Sequence, residues 1–495
     1  MVGFKMCSRL LGIASTLVLA RLLTTADFGI VAIAFTISTA LNALSNVGVT
    51  ENLVRHEEIG RDVLDTGFTV QAGKGLITGA LLLAAAPVAS AWFDEPRLQN
   101  VVYVLAGVYA LAGFENVGVI NFRRELRFDR EFQLSAVERV AGFVATVAAA
   151  LLLRDYWAIV IGTAAAKVSR LIATYVMHPY RPRFGVRAWR ELAGFSLWMW
   201  LSSLAYIVWQ RADPLVVGSA VSKAELGIFV VALDIALLPA TEILDPIAAV
   251  LFAGFAAERN AGRDPRENAF RLAVALMAAM APVALILSAA STYVVGVLLG
   301  ARWSEAAPVV AIVTMSVFMS PFSYTASIVL TAIGKLKSNF AVVVMASGAK
   351  LAILYVAAQT GSLVTIAAAS VTITSLESLL FIIILRRNGS RTGGLLKPLC
   401  RIVASGGLTA LALYATGLAW AGTVVVPPLE CLLYGCILGV VGGATYTGAL
   451  LGLWTLAGRP DGPERQIVTM FLPVLTRLWA RVLGLLRRNR PGPAR

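Results

Sequence analysis

Leu17-Val18-Leu19-Ala20-Arg21-Leu22-Leu23-Thr24-Thr25-Ala26-Asp27-Phe28-Gly29-Ile30-Val31-Ala32 decides the fold. The stretch is apolar up to Leu23, breaks at Thr24–Asp27, and is apolar again from Phe28. A helix crossing hydrocarbon must satisfy every backbone amide internally, and about 20 apolar residues are needed for the crossing. So short a break between two apolar runs is a turn at a membrane face. The alternation continues, giving spans at about 3–23, 28–50, 67–92, 98–120, 132–153, 156–177, 191–210, 225–250, 269–299, 307–333, 339–358, 362–385, 398–421 and 430–457. The expected fold is an all-α polytopic membrane protein of about fourteen transmembrane helices. A composition 58% hydrophobic and 14% charged, with mean hydropathy +0.79, agrees with that class.

The quoted turn recurs 198 residues later. Leu23-Thr24-Thr25-Ala26-Asp27-Phe28-Gly29-Ile30-Val31 is echoed by Val221-Ser222-Lys223-Ala224-Glu225-Leu226-Gly227-Ile228-Phe229. A second echo, at an offset of 210, links Arg124-Glu125-Leu126-Arg127 with Gly334-Lys335-Leu336-Lys337. Two likenesses in the same order predict two pseudo-symmetric six-helix lobes, an N-lobe over 1–185 and a C-lobe over 186–390. Two further helices occupy 391–458. The tail, 459–495, reads as a basic amphipathic helix lying on anionic membrane lipid. His178-Pro179-Tyr180-Arg181-Pro182-Arg183-Phe184-Gly185 is the expected linker between lobes.

Basic residues fall in every second gap. Of the 42 lysines and arginines, thirty-one lie at the ends or in alternate loops, including Arg123, Arg124, Arg127 and Arg130, then Arg181, Arg183, Arg187 and Arg190. The opposite loops hold five: Arg21, Arg97, Arg154, Lys223 and Arg302. The positive-inside rule then places both termini in the cytoplasm. The net charge of +14 belongs to one membrane face, and no nucleic-acid partner is needed to explain it. The first apolar run continues through Leu23 without a small-residue cleavage pattern and reads as a retained helix.

Catalytic chemistry finds no foothold. His56 and His178 sit in loops and read as solvated residues, and no Gly-Lys-Ser/Thr phosphate loop occurs. Cys7, Cys400, Cys431 and Cys436 show no metal spacing and read as small apolar packing residues. No cofactor is expected. A membrane polymerase or ligase would want a large external loop carrying an acid, base or nucleophile cluster, and every expected external loop is short.

What remains is charge inside the spans, which costs several kcal/mol per group unless paired or wetted, and which marks pathways. Arg21, Lys74, Arg139, Arg170, Arg211 and Lys350 come from both expected lobes. A wet cavity between lobes, lined by these cations, suits an anionic substrate such as a phosphate. Asp234, Glu242, Asp245 and Glu377 form a second set, suited to ion coupling. Glu115, Glu138, Lys167 and Asp213 complete the intramembrane charges. The structural alternative is local neutralisation, with Glu138 pairing Arg139, Asp213 pairing Arg211, and Lys167 with Arg170 snorkelling along one helix face.

The opening stretch resembles the signature of bacterial polysaccharide flippases, the polysaccharide transporter branch of the multidrug/oligosaccharidyl-lipid/polysaccharide exporter superfamily. Asn46-Val47-Gly48-Val49, Thr66-Gly67-Phe68-Thr69, Ala91-Trp92-Phe93-Asp94-Glu95-Pro96-Arg97-Leu98 and Arg124-Glu125-Leu126-Arg127-Phe128 extend the likeness in order across most of 1–390. Thr25 stands where that family often has proline. The resemblance implies a flippase, not an enzyme, that moves polyprenyl-diphosphate-linked oligosaccharide across the bacterial inner membrane by alternating access. It also implies functional association with a polysaccharide polymerase and glycosyltransferases, and makes Arg21 the leading diphosphate contact. The alternative in the same superfamily is a cation- or proton-coupled efflux pump, which acids rather than bases would serve.

Overall fold

The structure, a computed structural model, describes residues 2–45, 60–125, 127–189, 197–387, 396–422, 427–460 and 464–465. All regular structure among the described residues is helical. The long helices are α1 (Val2–Leu22), α2 (Thr25–Leu44), α3 (Arg61–Trp92), α4 (Pro96–Ala112), α5 (Phe128–Leu153), α6 (Trp157–Met177), α7 (Leu197–Gly218), α8 (Lys223–Asn260) and α9 (Pro265–Ala289). They continue with α10 (Ala306–Ala332, interrupted at Thr314), α11 (Leu336–Ala358), α12 (Leu363–Arg387), α13 (Leu396–Ala415) and α14 (Pro428–Leu456). Eleven are long and apolar enough to cross a membrane. The other three, α1, α4 and α7, lie where spans are expected, and α4 is short at 17 residues.

These helices turn large apolar side chains outward. Leu83, Val88, Val144, Leu152 and Val176 are exposed, whereas small residues such as Ala72, Ala86, Ala106 and Ala278 are buried. In water such a surface would aggregate; in a bilayer hydrocarbon is its solvent. Starts are set chemically. Pro265 occupies the first turn of α9 behind an Asp264 cap that accepts from the Arg266 amide at 3.0 Å. Pro96 does the same for α4 behind Glu95.

Two compact units partition the chain. The first comprises Met1–Ile235, Val295–Val309 and Phe340–Ile373; the second comprises Ala236–Val294, Val310–Asn339 and Thr374–Arg495. Within the first, α3 packs on α4, α5 on α6, α4 on α6, and α2 on α3, α4 and α7. Leu19 and Leu23 of α1 bury against Ala149, Ala150 and Ala158. Within the second, Ala240, Leu244, Met280, Ala284 and Val317 form a core joining α8, α9 and α10. There α13 and α14 pack on each other and on α9, where the Tyr446 hydroxyl donates to the Ala278 carbonyl at 2.9 Å. At the start of the tail, buried Glu464 pairs with Arg401 at 2.6 Å. The tail's expected amphipathic helix otherwise falls outside the described residues.

The linker after α6 is docked rather than loose. Asp65, in the first turns of α3, accepts from the Tyr180 hydroxyl and from the Arg183 amide. Thr69 accepts from the Gly185 amide at 2.8 Å and Thr66 from the Ala188 amide at 3.1 Å. Asn116 donates to the Tyr180 carbonyl at 2.7 Å. His178 is accordingly half-buried, edge-on to Phe122 at 5.6 Å, and its Nδ1 accepts from the Tyr180 amide at 3.2 Å. This corrects the expectation of a solvated loop histidine; His56 lies outside the described residues.

Burial holds the His178 imidazole below its ordinary value of 6.5, with Glu125 opposing and Arg181 assisting. A histidine whose folded value is depressed favours the docked state fully above 6.5, and that contribution is lost as pH falls toward the folded value. Protonated Nδ1 also stops accepting the Tyr180 amide. Hydrogen exchange across 178–188, corrected for intrinsic rates, should therefore lose protection as pH drops below 6.5. Equal protection on both sides of that pH would show that His178 does not govern docking.

Candidate functional site

The two echoed turns meet face to face. At the first, the Thr24 amide and hydroxyl both donate to the Asp27 carboxylate, at 2.8 and 2.6 Å, while the Asp27 amide donates back to the Thr24 hydroxyl. At the second, the Ser222 amide and hydroxyl donate to Glu225 at 2.9 and 2.7 Å, and the Glu225 amide returns to Ser222. Both are capping boxes, which hold orphan amides at a helix start. Each places a glycine one turn in. A Cβ on Gly29 would collide with the Lys223 carbonyl and lie 3.2 Å from the Gly227 amide nitrogen. A Cβ on Gly227 would collide with the Thr25 carbonyl and lie 3.0 Å from the Gly29 nitrogen. The contact is reciprocal, as a two-fold relation between repeats demands.

Loops from elsewhere in the chain cover both turns. Buried Trp303 donates its indole N–H to the Ala20 carbonyl at 2.9 Å and stands edge-on to Phe28 at 5.1 Å. Arg302 donates to the Leu23 carbonyl at 3.1 Å, so two carbonyls left over at the end of α1 are satisfied from the loop before α10. On the other turn, the Lys223 ammonium lies 5.5 Å from the Phe93 ring centroid. Phe93 and Trp303 are 210 residues apart, the offset of the second sequence echo. These contacts close one end of the first unit. Arg21 is at its edge, exposed, with its guanidinium 3.5 Å from the Val297 carbonyl.

Deeper in that unit lies a charged cavity of about 240 Å³, lined by α2, α3, α4 and α6 and by Glu115 in the turn after α4. Its polar walls are Asn42, Gln71, Lys74, Tyr109, Glu115, Thr163 and Lys167. A recess of about 120 Å³ shares Gln71 and Glu115 and reaches Arg170. Arg170 bridges Glu115 at 3.0 Å and Glu138 at 2.9 Å, and Lys167 meets Glu138 at 2.8 Å. The chain can carry Gly75 and Gly113 here because α3 and α4 approach within the space a Cβ would need.

The remaining charges are scattered. Lys350 on α11 is buried against Asp213 on α7 and donates to the Trp209 carbonyl at 2.6 Å. Arg139 and Arg211 are exposed, and Asp234 is exposed within the field of Arg211. Glu242 and Glu377 are half-buried on α8 and α12. Asp245 is on α8, but its side chain lies outside the described residues. Local neutralisation is thus overturned for both pairs. Residues one or two apart on a helix do not face each other, so Glu138 turns to α6 and Asp213 to α11. Glu115, Glu138 and Asp213 were the residues undervalued from sequence; the Lys167/Arg170 spacing of three, one face of an apolar span, was the available signal.

This helical arrangement is a known membrane-protein fold. The fold matches a lipid II flippase MurJ in an inward closed conformation, with TM-score 0.70 at 13% identity over 91% of this chain and 100% of that one. It also matches an inward-facing multidrug resistance MATE family transporter of the MOP superfamily, with TM-score 0.61 at 15% identity over 77% and 94%. In sequence, the family model for polysaccharide biosynthesis proteins matches residues 18–308, and the chain belongs to that family. Relatives include the succinoglycan biosynthesis transport protein ExoT of Rhizobium meliloti, 25% identical over 60% of this chain and 61% of that protein. Others are the lipopolysaccharide biosynthesis protein WzxC of Escherichia coli, 22% identical over 60% and 62%, and the teichuronic acid biosynthesis protein TuaB of Bacillus subtilis, 21% identical over 65% and 68%. The chain spans about three-fifths of the length of the first two.

Proposed function

We propose that this protein is a flippase, a transporter rather than an enzyme, that carries polyprenyl-diphosphate-linked oligosaccharide repeat units from the inner to the outer leaflet of the bacterial cytoplasmic membrane. The observation that carries the reading is the reciprocal helix-end contact of two repeats in a polysaccharide biosynthesis family member. Two like halves that meet at one end can part there and close elsewhere, which is the requirement of alternating access. A sugar head cannot cross hydrocarbon unaided, while its lipid tail can remain in the bilayer. A wet cationic path lowers the barrier for the diphosphate.

In this reading the lobes are 1–185 and 186–390, followed by two helices in 391–458 and a lipid-associated tail over 459–495, with both termini cytoplasmic. The closed helix-end contact then faces the extracytoplasmic side. Arg21, Lys74, Arg139 and Arg211 are the proposed substrate cations. Arg170 and Lys350 belong to the same proposed set, but each is neutralised by its acid partners and shapes the path rather than acting as a loose ligand. Asp234, Glu242, Asp245 and Glu377 are the proposed ion-coupling acids. The substrate comes from glycosyltransferases and passes to a polymerase.

Deleting the gene should abolish one surface polysaccharide and accumulate its lipid-linked repeat unit; unchanged polymer with no accumulation would end this reading. Arg21→Ala, because Arg21 borders the closed end, should lower export at normal membrane levels of the protein. Full export by that variant would remove Arg21 from the substrate path.

A further inference from the structure

An open groove on the flank of α6 has the chemistry of a lipid site. Its lining is Phe114, in the turn after α4, with Leu171, Ile172, Tyr175 and Val176 of α6 and Arg181 of the linker. We infer that the groove holds one anionic phospholipid, with an acyl chain along α6 and the phosphate on Arg181. In the proposed orientation this lipid belongs to the cytoplasmic leaflet. The site requires that the chain span a membrane, not that it transport.

The apolar walls share one face of a helix long and apolar enough to cross a bilayer, at positions i, i+1, i+4 and i+5. Ile172 is 58% exposed and Val176 79%, so hydrocarbon reaches both. Arg181 follows the end of that helix, Met177, by about one turn's worth of chain, at the level where headgroup phosphates lie.

Arg181 is held in place rather than left to snorkel. Its Nη1 donates to the His178 and Tyr180 carbonyls at 2.8 and 3.1 Å, and its guanidinium carbon lies 6.0 Å from the Tyr175 ring centroid. Tyr175 is fixed in turn by its hydroxyl, which donates to the Phe114 carbonyl at 2.9 Å. Among the described residues no carboxylate pairs with Arg181. Of the acids nearby, Asp65 accepts from the Tyr180 hydroxyl and the Arg183 amide, Asp62 lies 3.9 Å from Arg187, and Glu125 acts on His178. Nε and Nη2 of Arg181 are thus left for an anion, and paired guanidinium N–H groups fit phosphate oxygens. A phosphodiester brings one negative charge to the single cation of the lining. A zwitterionic headgroup adds a cation of its own beside Arg181, and a diphosphate brings more charge than one arginine meets.

The test is fluorescence quenching in lipid nanodiscs, on the full-length protein with its native cysteines replaced and Val168→Cys carrying a bimane label. Val168 is exposed on the same face of α6, one turn before Ile172. Phosphatidylglycerol brominated in its acyl chains should quench the label at a mole fraction about fivefold or more below that needed by brominated phosphatidylcholine. Arg181→Gln should erase that preference, and Arg181→Lys should keep part of it. Arg187→Gln, which removes an exposed cation of the same linker outside the groove, should leave it intact. If Arg181→Gln fails to fold, Val176→Trp fills the groove without touching the linker and should erase the preference as well. Farnesyl diphosphate should relieve the quenching no better than unbrominated phosphatidylglycerol. Equal quenching by the two lipids, a preference that survives Arg181→Gln or Val176→Trp, an equal loss in Arg187→Gln, or stronger relief by farnesyl diphosphate would each overturn the site.

Discussion

Gly29→Val is expected to hold the closed helix ends apart and shift the protein toward the state open at that end. The steric partner is the Lys223 backbone carbonyl, not the tip of a side chain that can rotate away. Overpacking of this kind costs about 1–3 kcal/mol, a change of roughly five- to over a hundredfold in the population of the closed state. Gly227→Val should act alike, because its Cβ meets the Thr25 carbonyl. Leu226, fully buried beside the contact, supplies the readout. In a background lacking the native cysteines, Leu226→Cys should react slowly with a soluble maleimide and tens of times faster once Gly29→Val is added. Gly29→Ala should produce a smaller shift of the same sign. Unchanged labelling, with normal transport and thermal stability, would show that the contact is incidental packing. Transport should fall in either valine variant, since a cycle that cannot close one end is held in a single state.

The echoed turns were legible in the sequence because they are local, although their capping boxes were not read there. Four residues, Thr24 to Asp27 or Ser222 to Glu225, contain the whole interaction. The spans were legible for the same reason, and so was the repeat, since its offset is a property of the sequence. Partner choice was not legible. Gly29 and Gly227 are each an ordinary glycine until the two helices are seen to cross. Periodicity says which side of a helix a charge lies on but not which helix faces it. Adjacent Glu138 and Arg139 therefore invited a local pairing that helix geometry forbids. The linker misled in the other direction. Its prolines and arginines read as a tether, yet its backbone amides find Asp65, Thr66 and Thr69 on α3 because buried amides require acceptors.

Asp213 and Lys350 test how far a buried ion pair is structural. Pro214 removes the amide that would serve the Gln210 carbonyl and disturbs this turn of α7. The Lys350 ammonium sits beside it, bonded to the Trp209 carbonyl and 4.9 Å from the Trp209 ring centroid, with Asp213 as counter-ion. Removing one partner leaves the other charge stranded, so Asp213→Ala should destabilise the protein by about 3–5 kcal/mol. Lys350→Met alone should be similarly harmful. The double variant Asp213→Leu/Lys350→Met should recover most of the loss, because two apolar side chains avoid the desolvation that the pair must offset. Thermal unfolding in detergent checks this, with a strongly non-additive double-mutant cycle as the expected result. Additive losses would show that Asp213 and Lys350 act separately. A double variant that is stable yet unable to export polymer would assign the pair to the transport cycle, since the fold would then have no need of its charges.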